Sequence, residues 1–455
     1  MRTPFGWLNL VLSDWRPVAR LFAAAACLNC LPECANALPS FAIQTSQPCS
    51  ACHVGAFGPR LKQAGRDFKL YGYSASDLKN HFPPFAVTAE ASLTRFTQDA
   101  VPGGGPSGGR TDTAFDGGSF YYGGKIINDM GAFSEIEYDA VTHSLAWQDQ
   151  DFRYARDGTF KGHDVVYGIT INNAPTEDDL WETNPVWSFP FVGSDYQPAP
   201  AASFLIDNLA FTVLGAGVYA MWDDTLYTDL EAFGGLDRDT LRLVGLEPLN
   251  GAGEVSGVIP YGRVALQREF LEGQHYAEIG AYGLHADVRP QFIGGYGDDS
   301  YTDVAIDGTY QWIPHTELSV SDMISAHLVL LHEFENLPAS HAVLGTRSDD
   351  NLTEFRGDVT YSWDASITPT LQYFVTSGST DPARWGTEDG SPDSKGWVAE
   401  VDYVPWGKPD SPLAWVNLRL ALQFTAYSEF DGSSRNAADY DTLLLKLTVG
   451  AALNR

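Results

Sequence analysis

The chain has 455 residues, 28 of them basic and 58 acidic, and a formal net charge of −30. This balance argues against nucleic acid or anionic lipid headgroups as partners, because both require clustered Lys and Arg. Aromatic residues make up 13% of the chain and mean hydropathy is −0.17, which is typical of neither a disordered chain nor a helical membrane protein. Beyond the N-terminus there is no apolar run of about 18 residues, so no transmembrane helix is expected. A β-barrel would escape this test because lipid-facing and lumen-facing residues alternate along its strands.

Residues 1–37 predict an export signal. Three arginines accompany an apolar stretch that ends at Leu31, and Ala35-Asn36-Ala37 fits a small-x-small cleavage site, so that Leu38 would begin the mature chain. The competing prediction is a lipoprotein cleaved before Cys27 or Cys34, although neither preceding tripeptide is typical of such a site.

Cleavage after Ala37 would remove three of the five cysteines and leave only Cys49 and Cys52. They stand in the motif Cys49-Ser50-Ala51-Cys52-His53. In a CxxCH motif the two thiols can form thioether bonds to one haem, and the adjacent imidazole can bind the iron axially. The motif therefore predicts one c-type haem held by Cys49 and Cys52, with His53 as an axial ligand.

Three other functions of a CxxC pair compete with haem attachment. A thioredoxin-like redox pair requires a βαβ pattern, and none follows the motif. A zinc site requires two further ligands at close spacing, and only His81 is near. A structural disulfide is the third alternative, although a disulfide that closes a loop of only two residues stabilises a fold little.

The second axial ligand of the iron is open. His81 is the only other histidine before the predicted strands, and none of the four methionines lies in the haem segment. We predict His81 as the second ligand. Two alternatives remain. His81 is a linker residue that binds no metal, or Met130 or a histidine of the lumen is the second axial ligand of the iron.

The chain divides into a signal peptide (1–37), a monohaem cytochrome segment (38–84) and an outer-membrane barrel (85–455). Leu61, Ala64, Phe68 and Tyr71 fall near helical spacing and predict one short amphipathic helix. The segment is too small to bury much core by itself, so we expect it to pack inside the barrel. Its basic residues would then pair with haem propionates or with acidic lumen walls, or would form the solvated face of the helix; these residues are Arg60, Lys62, Arg66 and Lys69.

After Pro83-Pro84 the apolar period changes to two, which indicates strands. The pattern predicts an all-β fold, a transmembrane antiparallel barrel of about 16 strands. The predicted strands are 85–96, 119–128, 133–142, 145–155, 164–173, 208–221, 226–233, 258–270, 276–288, 301–313, 317–334, 353–363, 366–376, 396–404, 414–430 and 441–453. The alternative architecture is a soluble exported β-sandwich or β-propeller that carries a haem.

Loop lengths agree with a barrel whose first strand leaves the periplasm. The predicted outer loops, among them 97–118, 174–207 and 234–257, are mostly long and the predicted inner turns are short, as outer-membrane barrels require. Five tryptophans fall at or near inner strand ends, where amphipathic rings are enriched at the membrane boundary: Trp222, Trp312, Trp363, Trp406 and Trp415.

Two stretches carry a family resemblance, from Phe41-Ala42-Ile43-Gln44-Thr45 to the CxxCH motif, and from Phe57-Gly58-Pro59-Arg60-Leu61 to Gly72-Tyr73. Here the chain resembles the fused monohaem cytochrome–porins of the bacterial outer membrane, best known from ferrous-iron oxidisers. The resemblance implies covalent haem on Cys49 and Cys52, His53 on the iron, and a haem segment in or under the barrel. It also implies transfer of electrons from extracellular Fe(II) to a periplasmic c-type cytochrome or other electron carrier.

The expected function is therefore electron transfer across the outer membrane, with outer-membrane lipid around the barrel, and iron-oxidising activity is left open. Acidic outer loops would attract Fe(II), and the candidates are Glu177-Asp178-Asp179, Asp298-Asp299 and Asp349-Asp350. Three alternatives remain. They are a porin or receptor whose haem is structural or sensory, electron transfer with another donor, and an exported haem protein outside the membrane.

Overall fold

The computed structural model describes residues 38–76, 83–98, 109–183, 192–246, 249, 253–314, 322–409, 411 and 415–453. The predicted export signal and His81 lie outside these residues. Sixteen antiparallel strands form one closed barrel. The strands are β1 Phe85–Phe96, β2 Thr111–Ile127, β3 Met130–Asp139, β4 Ser144–Phe160, β5 His163–Asn172, β6 Val213–Trp222, β7 Leu226–Gly235, β8 Gly253–Ser256 with Val258–Phe270, β9 His275–Pro290, β10 Asp299–Trp312, β11 Met323–Asn336, β12 Asp349–Ser362, β13 Ile367–Gly378, β14 Ser394–Tyr403, β15 Val416–Glu429 and β16 Thr442–Ala452.

The barrel closes by pairing its first strand with its last. β1 pairs with β16 from Ala86 opposite Ala452 to Phe96 opposite Thr442, and every other strand pairs with its neighbours in sequence. β8 occupies one place in the barrel but is interrupted, because Gly257 between its two segments has a positive φ of 78°. The closed barrel of sixteen strands confirms the predicted fold class.

The exterior of the barrel is apolar. In β9, even-numbered residues such as Tyr282 and Leu284 are buried in the lumen, whereas Ile279 on the opposite face is 65% exposed. The same alternation exposes Val264 and Leu266 on β8. A closed barrel leaves no sheet edge unpaired, so its backbone can lie in a bilayer. The apolar residues on its outer face are then in contact with lipid. These are the features of a β-barrel in the bacterial outer membrane, which confirms the predicted location.

The strand connections are asymmetric. Turns at the end where β1 begins are mostly short, as at 161–162 and 223–225, whereas most connections at the opposite end are long, as at 173–212. Short turns face the periplasm in outer-membrane barrels, so the ends of the barrel are oriented as predicted. Separately, none of the helices in the described part of the chain is long and apolar enough to cross a membrane.

The predicted tryptophan belt is correct in part. Trp312 and Trp363 lie at inner strand ends and are 37% and 56% exposed, as membrane-boundary rings should be. Trp406 is wrong as a belt residue, because it is buried and packs against Leu418. The ring fills the space beneath the inner turn between β14 and β15.

The N-terminal segment lies inside the barrel. It forms helices α1 Pro39–Thr45, α2 Cys49–Cys52 and α3 Gln63–Leu70. Helix α3 confirms that a short helix forms here, but the predicted apolar face is wrong, because Leu61 and Tyr71 lie outside the helix and Ala64 is exposed. Leu70 packs in one cluster with Tyr219 and Tyr276, which face inward near the periplasmic ends of β6 and β9. The segment therefore occupies the periplasmic half of the lumen, as its small size predicted.

The outer half of the lumen is filled by part of the long connection between β5 and β6. A short helix, α4 Leu205–Leu209, lies there. Its Leu205, Ile206 and Leu209 are each at most 5% exposed and pack against inward side chains of β8 to β12. Three further helices lie in outer loops: α5 Arg238–Leu243, α6 Pro338–Leu344 and α7 Pro382–Trp385.

Candidate functional site

The CxxCH motif is a single helical turn held against the barrel wall. Cys49 is 2% exposed, and Asn417 of β15 places its Nδ2 atom 3.5 Å from the Cys49 Sγ atom. The same Asn417 amide donates to the carbonyl oxygen of Ala56 at 3.0 Å, and the Ser50 amide donates to Gly407 in an inner turn. The motif is thus fixed to the periplasmic end of the wall on both sides.

Helix α3 packs back onto this turn. The Lys62 amide donates to the Cys52 carbonyl at 2.8 Å, and the Lys62 Nζ atom donates to the Ser50 carbonyl at 2.7 Å. Gly65 allows the close approach, because a Cβ atom built there would lie 2.6 Å from the Cys52 carbonyl oxygen. The helix and the motif therefore form one packed unit.

Both cysteines and His53 line one cavity of about 310 Å³, a volume in the range of small-molecule and cofactor sites. One side of the cavity is formed by the N-terminal segment and the other by inward residues of β1, β2, β3, β15 and β16. Its apolar lining includes Leu38, Phe41, Phe57, Leu61 and Phe68, and its charged lining includes Lys69, Glu90, Glu177, Glu182 and Arg419.

His53 has the chemical form that a metal ligand requires. Burial lowers the pKa of His53 to about 4, so the imidazole is neutral at physiological pH, the form that binds iron. Its Nδ1 atom is buried and has no hydrogen-bond partner among the described residues. Burial also raises the pKa of Cys52 to about 11, so an unmodified thiol at this position is protonated and unreactive. Two thiols, a neutral imidazole and a largely apolar cavity fit a covalently attached haem.

Apart from His53, the described residues that line the cavity include no histidine and no methionine that could serve as the predicted second axial ligand. Met130 in particular is not part of this lining. The described residues on either side of the stretch that contains His81 are anchored close to α1. Gln44 donates to the Tyr73 and Ala75 carbonyls, and both Gln44 and Pro84 border Gly124.

His81→Ala tests the predicted second ligand. If His81 binds the iron, the variant should retain covalent haem, because the thioethers are untouched, but its absorption spectrum and reduction potential should shift. Visible spectroscopy and a redox titration of both proteins measure this. His143→Ala, in an outer loop, is the control. A variant spectrum identical to that of the unmodified protein would remove His81 from the site.

The basic residues of the segment bind lumen side chains. Arg60 forms a buried ion pair with Asp358 and a hydrogen bond with Thr360, and the Lys69 Nζ atom lies 2.9 Å from Glu182. Arg66 donates to Gln311 at 3.1 Å and stacks on the Tyr276 ring, 3.9 Å from its centroid. Pairing with an acidic lumen wall is therefore confirmed for Arg60, whereas Lys69 pairs with carboxylates of the loop 173–183.

The acidic cluster Glu177-Asp178-Asp179 is not a surface feature, and the prediction that it attracts cations from outside is wrong. The loop 173–183 turns into the lumen, where each of the three side chains is at most 2% exposed. Asp178 pairs with Arg153 at 2.7 Å, Asp179 with Arg263 at 3.2 Å, and Glu177 with Lys69 at 3.8 Å. Their charge ties this loop to the wall and to α3.

The two other acidic pairs are also partly committed to structure. The Asp299 carboxylate accepts from the Ala339 and Ser340 amides and so caps helix α6. Asp350 is buried, with Arg384 at 3.7 Å. Asp349 is exposed. In each pair, therefore, one of the two carboxylates holds the protein structure together and is not free to attract Fe(II).

Comparison with known proteins gave structural neighbours only. No protein-family model matches the chain, and no curated protein matches it. An anion-selective porin from Comamonas acidovorans is 13% identical, with a TM-score of 0.44 over 81% of this chain and 98% of the porin. Salmonella typhi OmpF in complex with daunomycin is 13% identical, with a TM-score of 0.45 over 80% and 96%. Pseudomonas putida OprB is 12% identical, with a TM-score of 0.45 over 86% and 96%. Identities this low transfer no ligand or substrate to this chain.

Proposed function

We propose that this barrel carries electrons across the bacterial outer membrane through one covalent c-type haem. In this proposal Cys49 and Cys52 hold the haem by thioethers, His53 binds its iron, and His81 is the second axial ligand. The proposed donor is extracellular Fe(II), and the proposed acceptor is a periplasmic c-type cytochrome or other electron carrier. The observation that carries the proposal is that Cys49, Cys52 and His53 line the same cavity within the barrel.

The contents of the lumen support this function over free diffusion of solutes. The periplasmic half contains the N-terminal segment, and the outer half contains α4 with its buried apolar side chains. A lumen with packed side chains at both levels leaves little room for a water-filled channel, whereas diffusion porins keep such a channel open. A bound haem would supply reversible one-electron transfer.

The chain's own residues would orient that haem and exclude water from it. Asn417 and the backbone of Gly407 hold the CxxCH turn, and Gly65 brings α3 against it. Phe41 and Phe68 stand edge to face, 5.0 Å between ring centroids, on the apolar side of the cavity. Arg419 and Lys69 are the lining cations available to the haem carboxylates, and each also has acidic partners.

A vesicle assay tests the proposal. The haem-loaded protein is inserted into liposomes that contain an oxidised soluble c-type cytochrome, and Fe(II) is added outside under anaerobic conditions. We expect the haem and then the enclosed cytochrome to become reduced, because the barrel is the only conductor through the bilayer. The barrel with Cys49→Ser and Cys52→Ser is the matched control and should give no reduction. Equal reduction with the control would contradict electron transfer through the haem.

The porin-type barrel favours a second candidate function, passage of small solutes with a structural or sensory haem. Its distinguishing property is solute flux, which liposome swelling in sugars of increasing size measures. Electron transfer predicts no swelling above that of empty liposomes. Swelling without reduction of the enclosed cytochrome would favour the porin. If dithionite reduces the haem and Fe(II) does not, electron transfer remains the proposed function, but its donor is not Fe(II).

A further inference from the structure

Three carboxylates meet inside the lumen away from the cysteine cavity. Asp178 comes from the inward loop 173–183, and Asp229 and Glu231 face inward from β7. One carboxylate oxygen from each lies within 4.8 Å of one of each of the others, and all three side chains are buried. Sequence patterns singled out Asp178 within an acidic loop but not Asp229 or Glu231, because these residues lie on a separate part of the chain.

The surrounding positive charge does not balance these carboxylates. Arg263 is near Asp229 but is already paired with three other carboxylates, those of Asp179, Glu278 and Asp307. Arg153 reaches Asp178 at 2.7 Å but is shared with Asp151 at 2.6 Å. Glu231 accepts one hydrogen bond from Asn172 Nδ2 at 2.6 Å, and that donor is uncharged. Burial of unpaired carboxylates is costly unless protons or a cation neutralise them.

The Asp229 carboxylate is buried without hydrogen bonds from the described residues. It is 1% exposed, and neither of its carboxylate oxygens has a hydrogen-bond partner in the described structure. The Glu231 Oε1 atom also lacks a partner there. Buried polar atoms of native proteins are almost always bonded, and the exceptions call for an unseen ion or water. Here the unpartnered oxygens belong to the same group of three.

We propose that Asp178, Asp229 and Glu231 bind one divalent cation of the oxygen-preferring class to which Mg²⁺, Ca²⁺ and Mn²⁺ belong. Carboxylate oxygens are the ligands that these ions prefer. The cation neutralises the excess negative charge that Arg153 leaves. It also ties the inward loop to the barrel wall, in addition to the hydrogen bond from Tyr227 to the Asp178 carbonyl at 2.9 Å.

This site does not depend on the haem, since none of the three residues lines the cysteine cavity. Glu177, the neighbour of Asp178, does line it. The cation therefore fixes the position of a cavity residue through the backbone of the loop, and its loss should loosen that side of the cavity.

Manganese binding to the full haem-loaded chain in detergent tests the site. The protein is stripped with EDTA, incubated with Mn²⁺, desalted and analysed for manganese per chain, and the affinity is measured by electron paramagnetic resonance of free Mn²⁺. We expect one Mn²⁺ per chain. Asp229→Asn with Glu231→Gln should weaken binding by at least about 100-fold, because two of three charged ligands lose their charge.

Asp303→Asn is the matched control, because Asp303 is a fully buried lumen carboxylate with an unpartnered oxygen outside the group of three. It should bind Mn²⁺ like the unmodified chain. Thermal unfolding gives a second measurement: Mn²⁺ should raise the midpoint of the unmodified chain and of Asp303→Asn, but not that of the double variant. Absence of bound Mn²⁺ in the unmodified chain, or equal binding by the double variant, would overturn the proposal. The haem spectrum of each variant shows separately whether the cytochrome is intact.

Discussion

Replacing both Cys49 and Cys52 with serine should abolish covalent haem and leave the barrel folded. The thioethers need sulfur nucleophiles, and serine hydroxyls do not form them. The cost to the fold should be small, about 1 kcal/mol, because Asn417 can donate to a serine oxygen as it does to the Cys49 Sγ atom. Haem-stained denaturing gels and pyridine haemochrome spectra measure the first effect, and heat-modifiable gel mobility measures the second.

Ser50→Ala is the matched control, because it alters the same helical turn and keeps both thiols. It should retain covalent haem in full. The single variants should each keep one thioether and show a shifted reduced absorption band. Covalent haem in the double variant would show that the attachment site lies elsewhere in the chain.

Arg153→Met should lower the free energy of unfolding by about 3–5 kcal/mol. The guanidinium is fully buried, pairs with Asp151 and Asp178, and donates to the Glu177 carbonyl at 3.0 Å. Methionine fills part of the volume but leaves two buried carboxylates without their shared cation. Urea unfolding in lipid vesicles, followed by tryptophan fluorescence, measures the loss.

Arg156→Met is the comparison for this prediction. Arg156 lies on the same strand and pairs with Asp129 at 2.9 Å, but its side chain is 57% exposed. Water screens this pair, and the midpoint of unfolding should hardly change. If both variants unfolded at the same urea concentration, the buried ion pairs of the lumen would not stabilise the barrel as described.

The strands were predictable because their outer faces contact lipid. Apolar outward residues alternate with lumen-facing residues along much of 85–96 and 258–270. The structure gives the first strand the predicted bounds, and the second matches the longer piece of β8. The prediction was wrong at 208–221, where the observed strand begins at Val213. Leu205, Ile206 and Leu209 are helical and fill the lumen, and an apolar residue in a sequence does not reveal whether lipid or protein covers it.

The sequence predicts the CxxCH motif of the site but not the residues that form the walls of the cavity. The CxxCH spacing predicts haem attachment from five consecutive residues, and the structure places Cys49, Cys52 and His53 on one cavity. The cavity walls come from the first three strands and the last two strands of the barrel, and only closure of the barrel brings these two groups together. The acidic loop shows the same limit, because its cationic partners Arg153 and Arg263 lie on other strands. Charge composition alone could not show that this loop turns inward.

The burial of Cys49 bears on the order of events during biogenesis. β1 and β16 are the two ends of the barrel chain, and their pairing completes the wall around the N-terminal segment. With the segment packed in the lumen, the Cys49 side chain is 2% exposed and lies against Asn417 of the wall. We therefore expect enzymatic modification of the motif to precede docking of the segment in the lumen.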